Sequence, residues 1–278
     1  MNNKIALVFD FDDTLAKDST TGFLKNLGVD TENFWKKEVP KLLDDGWDPI
    51  PAYLYKMIEF SNKGCPITRD KLRKWGKQIT FFKGVTHLFP TLRKHIQNKK
   101  DVELEFYIIS SGIGEILRST KISKHFTEIW ASDFAYDKEG NIIFPKRVVS
   151  FTDKTRYLFH ISKGLIGPEY NNKPFEVNKK VGPDDHRIPF RHIIFVGDGY
   201  TDIPCFSLVT RNDGISIAVY DKDNSSKWNT AWDFVEENRV KNLVPADYSK
   251  GSALVNSLIM AIDSNIKKME LSEKVYQR

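Results

Sequence analysis

Residues 5–15 read Ile5-Ala6-Leu7-Val8-Phe9-Asp10-Phe11-Asp12-Asp13-Thr14-Leu15: five apolar residues, then three aspartates within four positions. A continuous apolar run of this length fits a strand buried on both faces of a sheet. The acids then fall at the carboxyl end of that strand, the edge at which open α/β sheets bind their ligands. Taken alone, the same residues also fit a strand followed by an acidic turn.

The rest of the chain supplies the context. With 278 residues it can bury a sizeable core, and 40% hydrophobic against 28% charged residues exclude a disordered or fibrous chain. The formal charge of +5 favours anionic ligands only mildly and is too small to indicate nucleic acid. Cys65 and Cys205 are far apart and form no C-x-x-C pair, which supports neither a disulfide framework nor a thiolate zinc site and points to a reducing compartment. The first apolar run is too short for a signal peptide or a membrane span, and no later window reaches membrane length. The expectation is a cytoplasmic protein with no nucleic-acid or membrane partner; the sequence leaves its oligomeric state open.

Beyond Leu15 the pattern turns helical for almost seventy residues. Thr20-Thr21 and Thr31 are candidate caps, Gly28 closes the first helix, and Pro40 ends or kinks the second. Tyr53, Met57 and Phe60 share one helical face, as do Leu72, Trp75 and Ile79. Residues 16–81 therefore read as a helical insertion after the first strand, and residues 1–15 and 82–278 as an α/β core. Within that core, Leu104 to Ile109 is a strand ending in Ser110-Ser111-Gly112, and Glu128 to Ala131 is another. Phe134 to Val149 has the alternation and Asp137-Lys138-Glu139-Gly140 turn of a hairpin. Asp153 can cap a helix carrying Lys154, Tyr157, Leu158 and Ile161. Residues 167–189 form a long loop insertion in the core, readable as a flap, a partner-binding arm or a mobile surface segment. His192 to Val196 is a strand running into Gly197-Asp198-Gly199-Tyr200-Thr201-Asp202. Ile215 to Val219 is a last strand, and Ser252 to Ile262 a closing helix.

Three apolar strands thus end in polar chemistry, with Asp10 and Asp12, with Ser110, and with Asp198 and Asp202. A helix start offers Lys154, with Lys146 and Lys163 as rivals. If the strands are parallel neighbours, these ends meet in one crevice. Its contents suit phosphoryl transfer: carboxylates for Mg²⁺, a carboxylate able to attack phosphorus, and Lys, hydroxyl and N–H groups to hold phosphoryl oxygens. Ser110 and Ser111 could also simply satisfy a strand end.

Together, Asp10-Phe11-Asp12-Asp13-Thr14, Ile108-Ile109-Ser110, Lys154 and the Gly197–Asp202 stretch resemble the four motifs of the haloacid dehalogenase superfamily. Their order is similar to that of its phosphatases with a helical cap inserted after the first motif (the C1 type). The phosphoserine-phosphatase-like members are the most similar, on Ser110-Ser111-Gly112, the Ile129–Ser132 strand and the turn from Asp137 to Asn141. The resemblance implies a Rossmann-like three-layer fold with a central, mainly parallel sheet and a helical cap at 16–81. It also implies a Mg²⁺-dependent phosphomonoester hydrolase working through an aspartyl-phosphate.

Residue by residue, the resemblance implies Asp10 as nucleophile and Asp12 as general acid and base. Ser110, with Ser111 and Gly112, and Lys154 would bind the phosphoryl group. Asp10 and Asp198, with the backbone carbonyl of Asp12, would hold Mg²⁺, and Asp202 would orient the metal site or Lys154. The expected substrate is a small-molecule phosphomonoester. Phosphoserine phosphatases carry a glutamate where this chain has Ser19, which argues against phosphoserine, while the aromatics of 16–81 leave room for a phosphocholine-like or nucleotide substrate. Two further readings stay open: a phosphotransferase to a second alcohol, and a binding or scaffold protein that kept the fold without turnover.

Overall fold

The computed structural model describes residues 3–99, 102–223 and 239–276. Among them seven strands form one sheet: β1 (Lys4–Phe9), β2 (Glu103–Ile113), β3 (Glu128–Tyr136), β4 (Ile142–Arg147), β5 (Ile193–Gly197), β6 (Ile215–Tyr220) and β7 (Asn242–Pro245). Their spatial order is β4-β3-β2-β1-β5-β6-β7, parallel throughout except for the β3–β4 hairpin. The apolar run in β1 is explained by its place at the centre: every side chain from Ile5 to Phe9 is fully buried. Leu7 and Phe9 enter the core on one face, and Ala6 and Val8 the core on the other. Each large side chain so buried stabilises the fold by about 1.5 to 3 kcal/mol.

The insertion after β1 contains α1 (Ser19–Asn26), α2 (Thr31–Asn33), α3 (Val39–Asp44), α4 (Pro49–Asn62) and α5 (Arg69–Gln78). It leaves and rejoins the sheet domain at one place, where Phe82 N donates to Leu15 O at 3.0 Å and Ala16 bridges Phe81. The caps lie upstream of the threonines expected from the sequence. Asp18 accepts from Thr21 N at 2.8 Å and Asp30 from Asn33 N at 3.0 Å, because a carboxylate complements the orphan N–H groups and the helix dipole better than a hydroxyl. Pro40 does not end its helix. Residues Phe34–Glu38 wind as a π-helix, and Pro40 then sits in the first turn of α3, where its missing N–H is tolerated.

The remaining α-helices among the described residues are α6 (Val85–His95), α7 (Gly114–Arg118), α8 (Asp153–Lys163), α9 (Ile203–Arg211) and α10 (Ala253–Tyr276), the last about twice as long as the sequence pattern suggested. Residues 167–189 contain short 3₁₀ turns and are tied to the core. Lys163 Nζ donates to the carbonyls of Val177 and Lys179, both at 2.6 Å. His186 Nδ1 and Ser162 Oγ share a 2.8 Å hydrogen bond, and Arg187 pairs with Glu105 near the amino end of β2. That anchor lies toward the sheet edge opposite Asp10. Both cysteines are free. Among the described residues no helix is long and apolar enough to cross a membrane.

Candidate active site

The strand register fixes which side chains can meet. Phe9 pairs with Ile108 of β2 on one side and Val196 of β5 on the other, so Asp10, Ser110 and Asp198 leave three adjacent strands at one edge. Asp10 N donates to Val196 O at 2.9 Å, which ties the start of the acidic segment to β5. The chain then turns sharply. Asp13 has φ +56°, and Leu15 N and Ala16 N return to Phe11 O at 2.8 and 3.2 Å, folding Asp12 back toward the crevice.

Lys154, in the first turn of α8, is the lysine that enters this crevice. Its side chain is wholly buried, and Nζ lies 2.7 Å from Asp202 Oδ1, 3.2 Å from Asp10 Oδ1 and 3.1 Å from Thr201 Oγ1. Burial alone would push this ammonium down; Asp10 and Asp202 outweigh it and hold it above its ordinary range. Of the rivals, Lys163 is engaged with the 167–189 segment, and Lys146 lines a separate cavity.

Carboxylate oxygens of Asp10, Asp198 and Asp202 lie within 4.8 Å of one another. Their environments separate their capacities. Asp202 is fully used: Oδ1 takes Lys154, while Oδ2 accepts from the N–H groups of Asp198 and Gly199 at 3.2 and 3.4 Å. A Cβ on Gly197 would fall 2.3 Å from Asp202 Oδ2, so only glycine admits this carboxylate beneath the loop. Asp198 Oδ1 accepts from Thr14 Oγ1 at 3.3 Å. Asp10 Oδ1 is buried and, beyond its ion pair with Lys154, has no aligned hydrogen-bond donor. Burial pushes the Asp10 carboxyl up to about 6, with Lys154 opposing and Asp202 reinforcing the rise.

Asp12 stands outside that cluster. Its Oδ1 accepts from Ser19 N at 2.7 Å at the start of α1. Burial, and then the nearby Asp18, hold its carboxyl well above the usual range, so the neutral acid is favoured there. A Cβ on Gly112 would lie 2.6 Å from Asp12 Oδ2 and 3.2 Å from Ser110 Oγ, which sets Asp12 beside the end of β2. Ser110 Oγ is buried and accepts from Gly112 N at 3.0 Å, leaving its own proton to donate. Ser111 contributes its carbonyl to Tyr53 Oη at 2.6 Å, while its own hydroxyl, like that of Ser19, is buried without a partner among the described residues.

Several contributors gave no clear signal in the sequence. Tyr53 on α4 reached the site only through helix packing, and Tyr248, beyond β7, donates to Thr14 O at 2.8 Å from more than two hundred residues away. Tyr248 N is itself held by Lys83 O at 2.7 Å, over a glycine with φ +85° at position 84 whose Cβ would strike the Tyr248 backbone. Thr201 lies in the stretch after β5 that was singled out, but its contact with Lys154 was not anticipated.

A central, mainly parallel sheet whose strand ends gather Asp10, Asp12, Ser110, a helix-borne lysine and the Gly197–Asp202 loop defines a phosphatase-type α/β fold, one that the chain shares with a solved phosphoserine phosphatase. The family model described as "Putative Phosphatase" matches residues 5–223, and the chain belongs to that family. It is 28% identical to an uncharacterised protein of Borreliella burgdorferi, over 94% of this chain and 97% of the other. It is 21% identical to pyridoxal phosphate phosphatase PHOSPHO2 of Bos taurus, over 76% of this chain and 80% of that one. A phosphoserine phosphatase solved with a phospho-aspartyl intermediate analogue shares the fold at a TM-score of 0.51 and 18% identity, covering 87% of this chain and 93% of that one.

Proposed function

We propose that this phosphatase hydrolyses phosphomonoesters of small molecules in a Mg²⁺-dependent reaction that passes through a phosphoryl group carried on Asp10. A carboxylate oxygen of Asp10 attacks phosphorus, the ester P–O bond breaks, and Asp12 gives its proton to the departing alcohol. Asp12, now a carboxylate, takes a proton from water; the water oxygen attacks phosphorus, inorganic phosphate leaves, and Asp10 is regenerated. The observation that carries this reading is the separation of the two carboxyls. Asp10 lies against Lys154, whereas Asp12, two residues on, is held by Ser19 N in surroundings that favour its protonated form. Lys154 and the Ser110 hydroxyl are disposed to take the phosphoryl oxygens.

The donors also fit a divalent cation. Carboxylate oxygens of the buried Asp10 and the half-buried Asp198 lie close together, Asp10 Oδ1 with no aligned hydrogen-bond donor among the described residues, which is a hard-oxygen environment that repels itself without positive charge. Asp10, Asp198 and the Asp12 carbonyl would hold the ion, which when bound supplies positive charge opposite the phosphoryl oxygens. Asp202, saturated by Lys154 and two backbone N–H groups, acts instead as a positioning residue for Lys154 and the Gly197–Gly199 loop. The helical segment 16–81 acts as the cap that closes over the leaving group, with Tyr53 meeting Ser111 at its border.

The test is hydrolysis of an aryl phosphate with Mg²⁺ and with EDTA. EDTA is expected to lower the rate by roughly a hundredfold or more, with recovery on adding excess Mg²⁺; full activity in EDTA overturns the metal requirement. For the substrate, a panel of phosphomonoesters including phosphoserine and, from the name of the bovine relative, pyridoxal phosphate is ranked by kcat/KM. Ser19, where phosphoserine phosphatases carry glutamate, predicts that phosphoserine does not lead; its emergence as the preferred substrate overturns that inference.

A further inference from the structure

A cavity of about 620 Å³ lies between the helical insertion and the sheet domain, walled by Asp48 and Pro51 on one side and by Lys146, Arg147, Asp153 and Arg156 on the other. Both walls are formed by elements that also reach the catalytic crevice. α4, which begins beside Asp48, carries Tyr53 to the Ser111 carbonyl. The stretch from Lys146 to Arg156 runs through Ser150, whose carbonyl accepts from Lys154 N at 3.1 Å, and through Val149, whose N–H is held by Ser132 Oγ at 3.1 Å on β3.

Three cations face two carboxylates in this cavity, and they are incompletely paired. Arg156 Nη2 lies 3.1 Å from Asp153 and donates to Tyr157 Oη at 2.6 Å, with the guanidinium lying over the Tyr157 ring. These contacts fix the guanidinium at the cavity wall, and its buried Nε has no acceptor among the described residues. Arg147 has a carboxylate, Asp133, only at 3.9 Å, and Lys146 has no ion-pair partner among the described residues. Surplus positive charge lining a cavity is complemented by an anionic oxygen. None of these three residues touches the phosphoryl-binding cluster, which has its own lysine.

We propose that this cavity receives a second anionic group of the substrate, an oxyacid on the alcohol side of the scissile ester, with Lys146 and Arg156 as its ligands. The substrate class is then a phosphomonoester bearing a further carboxylate or phosphate, and specificity arises from the core stretch 146–156 as well as from the cap. The proposal rests on the phosphatase reading for the position of the scissile phosphoryl group, but it is tested by binding without turnover.

The probes are alkylphosphonates with two to six methylenes, each compared with its ω-carboxy and ω-phosphono derivative, titrated calorimetrically into the Mg²⁺-loaded protein. At one chain length the second anion is expected to tighten binding about tenfold, the scale of one charge-assisted contact. That advantage is expected to fall at least severalfold in Lys146→Glu and in Arg156→Gln; Lys146 is exposed, so its replacement tests the idea even if Arg156→Gln folds poorly. The ω-carboxy and ω-phosphono arms distinguish the two oxyacids. Equal binding with and without the second anion at every length, or an advantage that survives both substitutions, overturns this proposal alone. Failure of every phosphonate to bind overturns the phosphoryl site and this proposal with it.

Discussion

Asp10→Asn is expected to lower kcat/KM for an aryl phosphate by about 10⁴-fold or more, because the amide cannot form the acyl phosphate of the proposed mechanism. The same substitution is expected to stabilise the metal-free protein at neutral pH. Burial raises the folded-state pKa of Asp10 to about 6, above its ordinary value, so the fold binds the neutral carboxyl more tightly than the charged one. The resulting destabilisation is absent below the unfolded pKa of about 4, grows through the interval to about 6, and is fully present above it. A rise of this size corresponds to about 3 kcal/mol at pH 7.5, or roughly 5 °C in the melting midpoint. Thermal melts of wild type and Asp10→Asn in EDTA at pH 4.5 and 7.5 read this directly, with the gap opening at the higher pH. Loss of activity together with a higher melting midpoint separates a functional carboxylate from a structural one. A variant that loses activity and melts lower at pH 7.5 contradicts the account.

How much of this was legible in the sequence follows from the range of the interactions involved. The Ile5–Phe9 run identified a central strand because a two-face-buried strand needs no alternation, and all five residues are indeed buried. Asp10, Asp12, Ser110 and Asp198 were locatable because each sits at the end of such a run, and parallel pairing then brings the ends together. β7 left no trace: Asn242–Pro245 is four residues long and includes a proline, tolerable there because the strand lies at the sheet edge. The site contacts of Tyr53 and Tyr248 were invisible for a different reason. Their hydroxyls meet backbone carbonyls, and a carbonyl carries no residue identity that a sequence pattern could match. The caps at Asp18 and Asp30 were displaced by one or two residues, which at Asp18 has a consequence for the site. Capping brings a second carboxylate near Asp12 and adds to the upward shift of its carboxyl.

Lys154→Met is expected to be the most damaging single substitution in the core, since Met conserves the volume of the stem and removes only the charge. Asp10 and Asp202 are then left as buried carboxylates without their shared cation, a change that typically costs about 3 to 5 kcal/mol. In EDTA the melting midpoint is expected to fall by roughly 10 °C, with Mg²⁺ restoring part of it through Asp10 and Asp198. Activity is expected to fall about 10²- to 10³-fold, the scale for removing one preorganised charge from a phosphoryl-transfer site. The two losses have different origins and can be separated by adding Asp202→Asn. Asp202 Oδ1 is the nearer partner of Lys154, at 2.7 Å against 3.2 Å for Asp10, so neutralising it removes the carboxylate most harmed by the missing ammonium. The double variant is therefore expected to regain at least half of the lost stability in EDTA while its kcat stays low, a positive coupling in one property and none in the other. If Lys154→Met melts and turns over like wild type, Lys154 is neither the counter-ion nor the phosphoryl-binding cation. If the double variant recovers activity along with stability, the role of Lys154 is confined to holding the fold.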